Sequence, residues 1–366
     1  MGYFNLNIVT MNASPVALED IAKSLGLAVS TVSRALRELP GIHPTTRAKI
    51  IHQAESMGYV APRKRKDETS QPRNILMLTM GADEAPPGYL AGMSRVAPAY
   101  NFSLQSHVSS REDSLNVLDP KYQPPALKMG LVAGIILIYK WPDEVVQALS
   151  RKCPTVSIVM HYPDTPVDVI GIDHLSGMFP LVKHLRQTGH ERIGFFGLMP
   201  DLSWARSRFA AYAEALLAYG LPLNFEDAVS IQDSRSVVTF PYLDEEAFEK
   251  VIKKIGQGVR AWVCANDVVG NSLCAGLIRR GIRVPDEVAV TGFHRRQYPW
   301  AHLPQLTTTE VRDDLLGEAT LQRMAHRLAH PTETPRLILM PCKFFQGETT
   351  SSFANEPVKV MEPSAT

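Results

Sequence analysis

The chain has little cysteine. Its four thiols, Cys153, Cys264, Cys274 and Cys342, form no CxxC pair and no Cys/His metal spacing. That excludes a disulfide scaffold and a zinc ribbon; reduced, mostly buried thiols in a cytoplasmic protein are expected. No apolar run is long enough to span a bilayer, so no membrane partner is expected. The opening residues, MGYFNLNIVTMNAS, lack a basic n-region and a long apolar core, so no signal peptide is expected. Met11 is an alternative start, which makes the residues before it an extension. Catalytic signatures are missing too: no GxSxG elbow, no P-loop, and no GxGxxG after a strand. Gly81 and Gly88 stand alone, and no Ser/His/Asp set can be placed together, so an enzyme is not expected. His161, His174, His184 and His190 have no partner at metal-ligand spacing and read as surface or hydrogen-bonding residues. No metal and no cofactor is expected. A heptad-bearing tail is also lacking, so a coiled-coil tetramer is not expected.

Net charge is nearly absent, +1 over 366 residues, but it is unevenly spread. Residues 15–66 hold nine Lys or Arg against four Asp or Glu, a local +5. A basic head on a mildly acidic body is the asymmetry of a nucleic-acid-binding module. The length exceeds one ordinary core, so two or three domains are expected. A hydrophobic content of 45% with 20% charged residues describes a globular chain.

The stretch Leu18 to Leu36, LEDIAKSLGLAVSTVSRAL, reads as two short helices around a tight turn. Leu18, Ile21, Ala22 and Leu25 fall on one helical face, and Gly26 tolerates a left-handed turn. In the second helix Val32, Ala35 and Leu36 face inward. Val29, Ser30, Thr31, Ser33 and Arg34 form the outer face, which suits entry into a DNA major groove; spacing alone leaves a solvated polar face equally open. Pro44 suits a first helical turn. A third helix then carries Ile50, Ile51, Ala54 and Met57 inward and ends at Gly58.

VALEDIAKSLGLAVSTVSRAL followed by IHPTTRAKIIHQAESMGYVAP resembles the head of the lactose-repressor (LacI) family of bacterial transcription regulators. The match runs through Gly26, TVSRAL, the PxTR element at Pro44–Arg47 and the Gly58-Tyr59 end. The resemblance implies that Val29, Ser30 and Arg34 read bases and that Thr31 and Ser33 contact phosphates. The chemistry agrees: Arg forks onto guanine, Ser bonds several base edges and Val meets a thymine methyl. A surface salt bridge for Arg34 and a packing hydroxyl for Ser33 are the bland alternatives. Family members carry Ser or Thr at the three helix caps, where this chain has Ala17, Ala28 and His43. A missing cap costs roughly 1 kcal/mol, so a marginally stable head is expected. In the linker, the run Arg63, Lys64, Arg65 and Lys66 can track the DNA backbone or minor groove electrostatically; without DNA a solvated, disordered linker is expected. Glu68 occupies the place of the family's minor-groove leucine wedge, and a carboxylate there does not intercalate.

From Ile75 onward, apolar runs alternate with helix-like segments: 75–80, 131–139, 155–160, 192–198, 261–266 and 287–293. Alternation of this kind predicts parallel sheets with helices on both faces, split into two lobes around a cleft. GIDHLSGMFPLVKHLRQTGHERIGFFG, ANDVVGNSLCAGLIRRGIRVPDEVAVTGF, PQLTT and QGET resemble the same family's core, which implies the fold of periplasmic sugar-binding proteins. The expected fold class is thus an all-α helix-turn-helix head plus an α/β two-lobed core. The expected domains are an extension at 1–14, the head at 15–60, a basic linker at 61–73, the core at 74–350 and a disordered tail at 351–366.

By the resemblance, Arg208 matches the arginine that holds an effector's hydroxyls or carboxylate. Asn266, with Asp267 beside it, matches a cleft residue after a strand. His294 stands where sugar-binding relatives carry Asp, and Arg295 and Arg296 follow it. Loss of that acceptor and gain of positive charge point to an acidic effector, a sugar acid or sugar phosphate; a neutral sugar and a site without ligand stay open. Trp141, Tyr89 and Tyr139 lie near expected cleft loops, where sugars stack on aromatic faces, and Trp204 and Trp300 are weaker candidates. For Trp141 a packing role is the alternative; Asp173 either touches ligand or caps a helix. The reading implied is a homodimeric, effector-responsive regulator, a repressor of a carbohydrate or related operon, on a near-palindromic operator. The alternative is a cytoplasmic sugar- or sugar-acid-binding protein with lost or weak DNA binding. A periplasmic solute-binding protein is disfavoured by the basic head.

Overall fold

The computed structural model describes residues 16–36, 42–59, 71–81, 87–232, 243–295 and 303–351. The chain divides between Gln71 and Pro72 into two compact units. Expectations on the start at Met1 or Met11, on Arg63, Lys64 and Glu68, on Arg296 and Trp300, and on the tail beyond Ser351 lie outside the described residues.

The first unit holds α1 (Leu18–Leu25), α2 (Val29–Leu36) and α3 (Pro44–Ser56). Ile21, Ala22, Val32, Ala35, Ile50 and Ala54 make its core, ringed by half-buried Leu18, Leu25, Leu27, Leu36, Met57 and Tyr59. Gly26 takes φ 65° and lets Leu27 N–H donate to the Ala22 carbonyl at 3.0 Å, which closes α1. Gly58, at φ 68°, ends α3 the same way, with Tyr59 N–H on the Ala54 carbonyl at 2.9 Å. The helix starts are less well made. Ala17 offers no side-chain acceptor; the Asp20 carboxylate instead accepts the Ala17 N–H at 2.8 Å. His43 makes no cap bond, and its Nδ1 lies 2.8 Å from Thr45 Oγ1.

The second unit contains two parallel sheets. The larger has β1 (Arg73–Met80), β2 (Phe102–Ser109), β3 (Val132–Ile138), β4 (Thr155–Ile158), β5 (Asp168–Ile172) and β11 (Leu337–Met340), in the order β11-β5-β4-β3-β1-β2. The smaller has β6 (Ile193–Leu198), β7 (Ala228–Ser230), β8 (Ala261–Cys264) and β9 (Ala289–Thr291), in the order β7-β6-β8-β9. Strands β10 (Thr308–Glu310) and β12 (Lys343–Phe345) pair antiparallel beside them. Ile75 to Met80 are buried without interruption, because helices cover both faces of a parallel sheet.

Helices α4 (Pro87–Tyr100), α5 (Pro125–Lys128), α6 (Asp143–Ser150) and α11 (Asp313–Ala329) belong to the first lobe, and α7 (His174–Gln187), α8 (Ser203–Ala218), α9 (Glu245–Gly256) and α10 (Asp267–Arg279) to the second. The chain crosses between lobes after β5, between β10 and α11, and between β11 and β12. One buried cluster runs through these crossings, from Ile75 and Ile136 to Phe195 and Phe293. Where α11 meets α4, a Cβ on Gly92 would collide with the Asp314 carbonyl, and one on Gly317 with the Tyr89 carbonyl. Arg95 on α4 reaches Asp314 at 3.2 Å and Glu318 at 3.3 Å across that seam.

An ion cluster pins the far end of the first lobe. Asp168, 1% exposed, accepts from Arg323 Nε at 2.8 Å and Arg327 Nε at 2.7 Å. Arg336 N–H adds a third bond at 2.8 Å. Burial alone would raise the Asp168 carboxyl, but the bonds from Arg327, Arg336 and Arg323 outweigh it and hold the group below the usual carboxylate range.

Candidate functional site

Two surfaces carry the chemistry. On the first unit it is the outer face of α2. Val32 and Ala35 are fully buried, whereas Val29, Ser30 and Arg34 are exposed and Thr31 and Ser33 are half-buried. A 3.6-residue period places Ser30 and Arg34 on the arc opposite Val32 and Ala35, while Val29, three residues before Val32, is exposed at the first residue of the helix. No acidic residue sits in the first turn of α2, so nothing there opposes the positive end of the helix dipole. The surface thus offers one guanidinium, one hydroxyl and one branched methyl pair, flanked by two more hydroxyls.

On the second unit the surface is formed by the carboxyl ends of the two sheets. In each sheet the strand order reverses beside the first strand, at β1/β3 and at β6/β8, where open α/β sheets leave a crevice. The lobes meet there: Trp204, in the first turn of α8, packs against the first lobe's buried cluster, as Tyr139 and Val159 do, and Ser203 Oγ lies 3.7 Å from Met160 Sδ. Backbone strain gathers at the same level. Tyr139 follows β3 at φ 65°, Val159 follows β4 at φ 66°, and His294 and Arg295 follow β9 at φ 115° and 52°. For a β-branched residue such as Val159 this is a true outlier, held by a tight turn in which Met160 N–H donates to the Ile158 carbonyl at 2.8 Å. Strain of this kind concentrates at ligand sites.

Arg208 lies beneath this crevice on α8 and is 4% exposed. Its Nη1 donates to the Ala265 carbonyl at 2.7 Å, just beyond β8. The guanidinium sits 4.0 Å from the Phe293 ring centroid and 4.9 Å from that of Trp204, a cation held between two aromatic faces. His174, first residue of α7, tilts against Phe293 at 5.8 Å. Burial, and then the charge of Arg208, pull its imidazole down to about 3, so it is neutral. Its buried Nδ1 has no hydrogen-bond partner among the described residues. Cys342, on the last crossing, is pushed up to about 11 by burial despite the nearby Arg208.

The structure sorts the candidates. Asn266 is half-buried at the crevice and caps α10, its Oδ1 accepting Val269 N–H at 2.9 Å. His294 is at the crevice level with Nε2 3.0 Å from Asp313 Oδ1, and Arg295 pairs with Glu310 at 3.0 Å over the Phe345 ring. The Arg295 charge is therefore met locally by the Glu310 carboxylate, and His294 is hydrogen-bonded to Asp313. Asp173 caps α7 by accepting Leu175 N–H at 3.1 Å and Ser176 N–H at 3.3 Å.

Three expectations are corrected. Trp141 is not a stacking platform: it is fully buried among Leu76, Leu78, Val145 and Val146, and its Nε1 donates to the Leu78 carbonyl at 3.2 Å. Tyr89 is buried in the α4–α11 seam, where the glycines bring the helices into backbone contact. Asp267 is 3% exposed and accepts Thr308 Oγ1 at 2.6 Å, so its carboxylate braces β10 against α10 and does not face a ligand. Of the histidines read as surface or hydrogen-bonding residues, His190 is buried and His174 half-buried; burial chiefly pulls His190 down to about 4. The sequence reading did not place Phe293 or His174 at the site; their spacing carries no signal, because packing within the second lobe brings the start of α7 and the segment after β9 to Arg208 on α8.

A three-helix head whose α2 exposes Val29, Ser30 and Arg34, joined in one chain to a two-lobed core, fits a DNA-binding transcriptional regulator. Comparison with known proteins agrees on both parts. Residues 17–61 match the model described as bacterial regulatory proteins, lacI family, and residues 182–350 match the periplasmic binding protein-like domain. The transcriptional regulator GntR of Escherichia coli strain K12 is 23% identical over 340 residues, covering 88% of this chain and 94% of that protein. GalR of Salmonella typhimurium strain LT2 is 25% identical over 329 residues, covering 87% and 91%. Among solved structures, the lac repressor dimer bound to operator and the anti-inducer ONPF superposes with a TM-score of 0.60 at 21% identity, covering 92% of this chain and all of that one. A complex of the regulator CelR with cellobiose gives 0.63 at 22%, covering 91% and 99%. The chain belongs to the lacI family of bacterial regulatory proteins. Among the described residues, no helix is long and apolar enough to cross a membrane.

Proposed function

We propose that the chain is a cytoplasmic homodimeric repressor whose two heads read the half-sites of a near-palindromic operator. A sugar or sugar acid bound between the lobes of the core sets its DNA affinity. One observation carries the DNA reading: α2 exposes Val29, Ser30 and Arg34 while burying Val32 and Ala35. In this reading Arg34 forks onto a guanine, Ser30 and Val29 meet neighbouring base edges, and Thr31 and Ser33 hold phosphates. Arg63 and Lys64 add sequence-independent contact with the backbone. The working division is a head at 15–60, a linker at 61–73 and a core at 74–350.

For the effector, the supporting observation is Arg208, clamped between Phe293 and Trp204 at the mouth of both sheets. A rigid guanidinium beside neutral His174 and capped Asn266 offers donors to hydroxyls or to a carboxylate. With Arg295 paired to Glu310 and His294 bonded to Asp313, Arg208 is, among the described residues at the crevice, the cation taken to separate the two ligand classes. The relatives act as regulators, and the crevice holds no nucleophile–base pair among the described residues, so the cleft is read as a binding site and not a catalytic one.

The deciding experiment is a gel shift with DNA upstream of the protein's own gene, with and without candidate sugars and sugar acids. Salt-sensitive, sequence-selective retardation that a ligand alters is expected. Absence of retardation under every condition, alongside calorimetric sugar binding, would instead establish the cytoplasmic sugar-binding alternative. Calorimetry also assigns the class: an Arg208→Lys variant loses about tenfold or more in affinity if the guanidinium fork contacts the effector.

A further inference from the structure

At the carboxyl end of α11 two histidines and a glutamate converge. His326 lies in the last turn, His330 follows four residues on, and Glu333 returns from the loop that leads into β11. The i, i+4 spacing puts both imidazoles on one face of the helix end. Their rings are nearly parallel, with centroids 4.4 Å apart and an interplanar angle of 26°. Each of the three residues offers one ligand atom, and these atoms all lie within 4.8 Å of one another. His326 Nε2 and Glu333 Oε2 are already 2.9 Å apart. Ligand atoms around a tetrahedral zinc are roughly 3.3 Å apart, so small side-chain rotations close the set.

The surroundings are those of a held site. His330 Nδ1 lies 3.2 Å from the His326 carbonyl, so Nδ1–H donates there and the Nε2 lone pair is left for a ligand. Ligating histidines are oriented by this kind of bond from the other ring nitrogen. The Glu333 backbone carbonyl accepts from Arg327, which is anchored on buried Asp168. The loop is thereby tied to the core of the first lobe. Two cations compete for the carboxylate, Arg336 Nη2 at 3.2 Å and Arg323 Nη1 at 3.7 Å.

We propose that His326, His330 and Glu333 bind one divalent first-row transition-metal ion. Two imidazoles and one carboxylate suit Zn2+, Ni2+, Cu2+ or Co2+, and not Mg2+ or Ca2+, which take oxygen ligands. Three protein ligands leave the fourth position to water. The site is at the amino ends of the parallel strands, beside the first residue of β5 and the residue before β11. It therefore lies at the opposite end of the first lobe from the effector crevice. The bound ion clamps the end of α11 to the loop feeding edge strand β11.

The test is titration calorimetry of the full chain with Zn2+, and with Mg2+ in parallel, with neither DNA nor effector present. One Zn2+ per chain at micromolar Kd is expected, with no Mg2+ binding at millimolar concentration. His330 is exposed, so His330→Ala folds normally; its metal-free Tm is unchanged and its Zn2+ affinity falls at least about tenfold. Arg336→Ala removes a competing cation from Glu333 and tightens Zn2+ binding. No Zn2+ binding tighter than millimolar, or unchanged affinity in both His330→Ala and Glu333→Gln, overturns the proposal.

Discussion

The head and the core differ in part in how their helices begin. In the core, α7, α9 and α10 start at Asp173, Asp244 and Asn266, and each side chain accepts an N–H of the first turn, whereas α5, α6, α8 and α11 start without such a bond. In the head, α1 and α3 start at Ala17 and His43 with no such bond. The interiors differ as well. The head buries one small cluster around Ile21 and Ile50, whereas the core has extended clusters and the Asp168 ion network. Each cap is worth about 1 kcal/mol, and a small domain has only a few kcal/mol in total. The head is thus expected to lie near its stability threshold, where DNA that binds only the folded head would supply the remainder by mass action. A stable sensor joined to a marginal reader makes DNA affinity sensitive to small changes.

The largest test of this contrast falls on the core. Asp168→Ala leaves Arg323 and Arg327 buried without their carboxylate and is expected to cost about 3–5 kcal/mol, measured as a lower denaturant midpoint of the core transition. The same group predicts an acid dependence. Its carboxyl is held low in the folded state, so its stabilisation is complete above the ordinary pKa near about 4 and is lost as pH falls toward the depressed folded value. Unfolding curves at pH 7 and below pH 4 check the sign; a core that strengthens on acidification contradicts it.

Next in size is Ile50→Ala in the head, a cavity expected to cost about 2–5 kcal/mol. Against a head of a few kcal/mol this abolishes operator retardation while the core melts at the wild-type temperature. Coupled loss of both would mean that the two units do not fold independently. Arg34→Ala is smaller, about 1–3 kcal/mol of operator affinity, and relaxes specificity at one base pair with circular dichroism unchanged. A uniform loss on all sequences would make Arg34 a phosphate contact instead. Smallest is repair of a cap: His43→Ser is expected to stabilise the head by about 1 kcal/mol, seen as slower proteolysis of DNA-free protein. A wild-type head as protease-resistant as the core breaks the comparison outright.

Legibility followed how local the determining physics is. The faces of α2 were readable because one helical period sends Val32 and Ala35 inside and Ser30 and Arg34 outside; the exposure of Val29, at the helix start, is not set by that period. Strands β1, β3, β4, β6, β8 and β9 were readable because burial on both faces demands unbroken apolar runs. Strands β2 and β11 were not: both lie at sheet edges, and Leu337 and Leu339 of β11 remain about half exposed. Trp141 and Tyr89 misled because an aromatic near an expected loop reads the same whether it faces a ligand or a core. Only packing against Leu78, or against a glycine of α11, separates the two. The His326/His330 pair was visible as an i, i+4 spacing but lacked its third member, because Glu333 reaches it through a loop.

By itself, then, the sequence determined the reading helix, its exposed residues, the parallel-sheet plan and the family, since each depends on periodicity or on contiguous motifs. Tertiary structure alone decided what surrounds Arg208. Trp204 stands four residues before Arg208 on α8, but His174 opens α7, Phe293 follows β9 and Cys342 arrives on the last crossing, so three further segments must pack together at one guanidinium. A cation buried that deeply is tolerable only where aromatic faces and a carbonyl replace the water it has lost, and no local pattern records that replacement.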